Sequence, residues 1–112
     1  MVANSCLMSY FVFFNLYEYI FNMHFKWQRT ENGLFTNLGG ETVILNLATN
    51  EYYSLNEVST FIWEKLESTP TKEEVVEHVM NKYEVSKDEC EQDITLLFDE
   101  LVSIDLIEKL EK

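Results

Sequence analysis

The hydrophobic period changes once along this chain, at Asn56, and that change sets its class. Between residues 34 and 55 apolar residues tend to recur at every second position; beyond Asn56 they recur at every third or fourth. A period of two belongs to strands and a period of 3.6 to helices. A block of strands followed by a block of helices defines an α+β domain. The 112 residues suffice for one such domain, which at this size buries roughly two-thirds of the surface its unfolded chain exposes.

The strand block reads as a meander. Residues 34–38 (LFTNL) follow the turn signal Asn32-Gly33 and form the first strand. Gly39-Gly40 then supplies a two-residue link suited to the positive φ angles of a tight hairpin. Residues 41–47 form the second strand, with Val43, Leu45 and Leu47 on its apolar face and Thr42, Ile44 and Asn46 on the other. Ala48-Thr49-Asn50 turns the chain into a third strand, residues 51–55, whose tyrosines suit a pleated surface.

Three helices follow. Asn56 caps the first, with Val58, Phe61, Ile62 and Leu66 on one face, Trp63 at its border and Ser68-Thr69-Pro70 as its stop. Thr71-Lys72-Glu73-Glu74 is a capping box that opens the second, with Val75, Val76, Val79, Met80 and Tyr83 inward. Ser86-Lys87-Asp88-Glu89 is another, opening a helix that carries Cys90, Ile94, Leu97, Phe98, Leu101 and Val102. Asp105 falls at the end of this helix, where a left-handed residue is expected. Leu106 and Ile107 return to the core, and residues 108–112 are expected to fray. The expected architecture is a three-stranded antiparallel meander followed by three helices, winged-helix-like in its parts.

Ahead of this pattern, residues 1–27 hold nine aromatic side chains, and their first Lys or Arg is Lys26. A secretory signal starts with positive charge, which this segment lacks. Residues 6–25 carry one formal charge, Glu18, and reach the length of about 20 residues that a bilayer span needs. Asn15, Glu18, Asn22 and Lys26 recur at steps of three and four, a narrow polar stripe on an apolar helix. The segment reads as a helical N-terminal extension over residues 1–27, preceding a domain over residues 28–112. It is suited to pack on its own domain, on a second copy or on a membrane surface. A plainer alternative starts the protein at Met23 and leaves residues 1–22 dispensable.

Charge and motif content narrow the function. Twenty acidic residues against eight basic ones leave a net charge of −12 at pH 7. Such a chain repels phosphate backbones and anionic membrane surfaces at long range. Cys6 and Cys90 are too few for a disulfide framework and read as reduced thiols of a cytosolic protein. A nucleophilic cysteine needs an adjacent base, and neither His24 nor His78 is placed beside Cys90 by the sequence. Gly39-Gly40 lacks the Lys-Ser/Thr of a phosphate loop. Glu74 and His78 stand four apart on one helix but have no third ligand in register. Acids at Asp88, Glu89, Glu91 and Asp93 suit the positive end of a helix dipole. The expectation is a protein without catalysis, cofactor or metal.

Residues 40–47 (GETVILNL), followed by Tyr52-Tyr53-Ser54-Leu55-Asn56-Glu57 and by Ile62-Trp63, resemble the PqqD family, that of the coenzyme PQQ synthesis protein D. The order and spacing of residues 71–79 and 97–107 fit the same family, so the likeness covers roughly residues 30–110. Asp105 stands where the family often has glycine before its last Leu-Ile/Val. Members are also called RiPP recognition elements and include small proteins of lasso-peptide biosynthesis.

The resemblance implies a peptide chaperone of natural-product biosynthesis. Such a protein binds the leader segment of a ribosomally made precursor and presents it to a modifying enzyme, a radical SAM enzyme or a leader peptidase. It places an added peptide strand beside residues 51–55, with the third helix as the opposite wall. The site residues it implies are Glu51, Tyr52, Tyr53, Ser54 and Leu55 on the strand, and Asp93, Leu97, Glu100 and Leu101 on the helix. Leu55, Leu97 and Leu101 have a second reading as plain core, and Glu51, Asp93 and Glu100 as solvated charges or as attractors of a basic leader residue. Two other functions compete: a winged-helix nucleic-acid binder, opposed by the acidic start of the third helix, and a membrane-associated interaction protein driven by residues 1–27. The apolar extension and an open strand edge also invite a homodimer.

Overall fold

The structure, a computed structural model, describes residues 25–110. Its elements in chain order are β1 (Lys26–Arg29), β2 (Gly33–Leu38), β3 (Glu41–Asn46), β4 (Glu51–Leu55), α1 (Glu57–Lys65), a 3-10 turn (Leu66–Ser68), α2 (Lys72–Lys82), α3 (Lys87–Ser103) and β5 (Ile107–Leu110). Strands β2, β3 and β4 form the expected antiparallel meander, in that spatial order. Leu38 pairs with Glu41 across a two-residue link. Gly39 and Gly40 both take positive φ, 65° and 92°, as a hairpin whose turn follows the sheet twist requires.

The register sorts the meander into two faces. Phe35, Ile44 and Tyr53 are aligned across the three strands on the core side, and Leu34, Leu45 and Tyr52 on the other. This inverts the face that alternation alone predicts for β3. Val43 and Leu45 are only half-buried and Leu47 is exposed, whereas Thr42, Ile44 and Asn46 are buried. Asn46 tolerates burial because its side chain is hydrogen-bonded there. The Asn46 side-chain amide donates to the Ile104 carbonyl at 2.8 Å, and its oxygen accepts from the Ala48 amide at 2.9 Å. At Thr42 it is the backbone amide that is held, donating to the Thr60 hydroxyl at 2.9 Å.

All three helices start at the residues that the caps predict. The Asn56 side chain accepts from the Ser59 amide, Thr71 and Glu74 complete a reciprocal capping box, and the Ser86 hydroxyl accepts from the Glu89 amide. Trp63, Leu66, Val75, Ile94 and Phe98 are buried to within about 1% and fill the space between the inner sheet face and the helices. Val58, Met80 and Val102, expected inward, are instead 39%, 38% and 42% exposed, because the buried stripes of their helices are narrower than the apolar patterning.

Two strands lie outside the expected meander. Of the residues expected to fray, 108–110 do not, and 111–112 lie outside the described residues: Ile107–Leu110 form β5, antiparallel to β1, with Lys26 opposite Leu110 and Arg29 opposite Ile107. Lys26 and Trp27, which sequence patterning assigns to the N-terminal extension, thus belong to a sheet. Trp27 is buried against Phe98, with ring centroids 5.0 Å apart, and its amide donates to the Pro70 carbonyl. The rest of the expected apolar helix, residues 1–24, lies outside the described residues. Among the described residues no helix is long and apolar enough to cross a membrane.

The turn from α3 into β5 is built on Asp105, which has a φ of 63°. The Leu106 amide donates to the Leu101 carbonyl and the Asp105 amide to the Val102 carbonyl, the paired bonds of a Schellman cap. Glycine is usual here, but the Asp105 carboxylate gains a partner that glycine lacks, accepting from the Asn32 side-chain amide at 2.8 Å. The backbone carbonyl of the same residue accepts from the Thr30 hydroxyl at 2.7 Å.

Candidate functional site

Strand β4 pairs with β3 on one side, and among the described residues no strand pairs with its other side. An edge strand of this kind presents backbone N–H and C=O groups that an extended chain can satisfy. The end of β4 nearest the helices is fixed by one hydroxyl. Thr60 on α1 is buried; it accepts from the Thr42 amide and donates to the Leu55 carbonyl at 3.1 Å. Thr42 and Leu55 are opposite each other in the ladder, so Thr60 completes the pairing there and ties α1 to the sheet.

Beyond the end of β4 opens a cavity of about 620 Å³. Asn56, Val58 and Ile62 line it from the α1 side, Val79 from α2, and Ile94 and Leu97 from α3. Among the described residues, its only charged lining residues are Asp93 and Glu100, both acidic and both exposed. Cys90 sits in the wall as a buried free thiol, and desolvation, its largest perturbation, pushes its pKa up. A protonated, buried thiol is a poor nucleophile.

The structure thus brings Asp93, Leu97 and Glu100 onto one cavity whose rim begins one residue past β4. On β4, Tyr53 is half-buried and packs on the core, and its hydroxyl donates to the Glu51 carboxylate at 2.9 Å. That hydrogen bond holds the Tyr53 phenol above its ordinary pKa. Tyr52 and Ser54 lie exposed on the outer face, Tyr52 at 71%. Leu55 and Leu101 are buried in the core cluster, so any contribution they make to the site is as its floor. Sequence reasoning missed the α1 and α2 walls, together with Val85 and Leu96 on the rim. The available signal was surplus apolarity: Val58, Val85 and Leu96 are apolar yet 39%, 38% and 65% exposed.

The fold and this edge define a small α+β domain with an open strand beside an apolar, acid-rimmed hollow. The family model of the coenzyme PQQ synthesis protein D matches residues 41–107, which span more than half of the chain, and the protein belongs to that family. Among solved structures, the chain is similar to TbiB1 in complex with the TbiA(beta) leader peptide. The identity is 27%, the match covers 72% of this chain and 94% of that one, and the TM-score is 0.69. It also shares its fold with a lasso peptide synthetase B1 complexed with its leader peptide, at 21% identity, 73% and 96% coverage and a TM-score of 0.66. No curated protein sequence matches the chain.

Proposed function

We propose that this protein binds the leader segment of a ribosomally synthesised precursor peptide and presents it to a modifying enzyme, without catalysing a reaction itself. The leader adds as a strand along the free edge of β4, and α3 forms the opposite wall. Main-chain hydrogen bonds supply affinity for any extended backbone, and side chains that enter the cavity supply selectivity. The observation that carries this reading is the β4 edge, unpaired among the described residues, which ends one residue before a hollow lined by Leu97, Asp93 and Glu100. Family membership and the leader-bound neighbour at 27% identity support it. The receiving enzyme would be a radical SAM enzyme or a leader peptidase.

The test is a fluorescence anisotropy titration with the N-terminal half of the small precursor peptide encoded beside this gene. Binding at micromolar or lower Kd is expected, weakened at least about tenfold, or ~1.4 kcal/mol, by Tyr53→Asp or Leu97→Asp. Both changes add negative charge, so a loss of binding reads as spoiled apolar packing rather than repulsion of a cationic peptide. Unchanged binding in both folded variants rejects the groove.

A further inference from the structure

The rim of the cavity carries more information than its floor. Helix α3 contains six acidic residues and, in Lys87, one basic residue. Most of the acids have an ordinary explanation. Asp88 and Glu89 occupy the first turn, where the helix dipole favours negative charge. Asp99 and Glu91 act on the Lys72 ammonium. Asp93 and Glu100 have neither: among the described residues no ion pair or hydrogen bond holds either carboxylate. Glu100 sits near the C-terminal end of α3, where the dipole disfavours a negative charge. Both flank the mouth of a hollow whose lining is otherwise uncharged, with no Lys or Arg among the described residues that form it.

The Asp93–Leu97 step comes close to the repeat of a strand, and the Leu97–Glu100 step is shorter. Asp93, Leu97 and Glu100 follow one stripe of the helix at steps of four and three. At about 1.5 Å per residue the two acids flank Leu97 at about 6 and 4.5 Å along the axis. Same-face residues of an extended peptide are about 6.8 Å apart. A peptide that places a large apolar side chain over Leu97 therefore brings the residue two positions before or after it towards an unpaired carboxylate.

Resting on the docking reading above, we propose that the peptides this protein selects carry a bulky apolar anchor with Lys or Arg two positions away on the same face, recognised by Asp93 and Glu100. The anchor fills the hollow over Leu97. The basic residue sets register and raises the association rate through charge complementarity.

The experiment is selection of a displayed library of random 12-residue peptides on the full chain, followed by sequencing. Clones that still bind Leu97→Asp are discarded as binders elsewhere. The expected result is enrichment of Lys or Arg at a fixed two-residue offset from an aromatic or long aliphatic residue. In Asp93→Lys/Glu100→Lys the basic preference is expected to vanish or turn acidic. Peptides chosen by the native chain should lose affinity about tenfold in that variant, and several-fold between low and high salt. Groove-dependent peptides without a basic offset, or with one that charge reversal leaves intact, overturn the proposal and leave strand docking standing. If no peptide is selected, both readings fall.

Discussion

Thr60 shows how much one side chain fixes here. Its hydroxyl serves the Thr42 amide and the Leu55 carbonyl together in a buried setting. Thr60→Val keeps the shape and strands both groups, so it is expected to cost about 1–3 kcal/mol, read as a lower urea midpoint at unchanged slope. Tyr53 gives a second test at this scale. Its phenol donates to the Glu51 carboxylate, which favours the protonated form and raises the pKa. The phenol's contribution to stability is therefore present below the unfolded pKa and is lost as pH rises through the folded one. In an absorbance titration at alkaline pH, Glu51→Gln is expected to move this transition downward. Asp105 was legible from sequence, because a polar residue just past the last turn of a long amphipathic helix announces a left-handed cap. The burial of Asn46 was not, because its amide partner, Ile104, lies on the far side of three helices in sequence.

Elements were legible where their signals are local. The Gly39-Gly40 link, the Asn56, Thr71 and Ser86 caps and the 3.6 period all act within a few residues, and the corresponding hairpin and helices stand where they point. Strand β3 was legible as a strand but not as to its face. Asn46, with a remote side-chain partner, shares the buried face with Ile44 against the apolar alternation around them. Strands β1 and β5 were missed because each is four residues long and has meaning only through the other, across almost the whole described chain. Trp27 is the test of that pair. It is 6% exposed, packs on Phe98 and belongs to the core cluster. Trp27→Ala is expected to cost about 3–5 kcal/mol, enough to move a thermal midpoint by many degrees, whereas Tyr52→Ala on the outer face should change it little. Of the candidate site, the β4 edge and the α3 stripe could be read from sequence with the help of the family likeness. The walls contributed by α1 and α2 could not, since their placement depends on how the helices cross.

At the scale of the molecule, β1 and β5 lie side by side, with Lys26 facing Leu110. Cα atoms paired in this way are about 5 Å apart. The first and last strands of the described fold thus close on each other. In a shortened version that runs from Phe25 to Leu110, a few glycines joining those two residues, with a fresh opening between Gly39 and Gly40, would give a circular permutant that retains every strand pairing. Neither the splice nor the cut touches β4 or α3. A rethreaded version should therefore keep its slot for a guest strand while offering new ends at the tip of a hairpin, where an enzyme could be tethered.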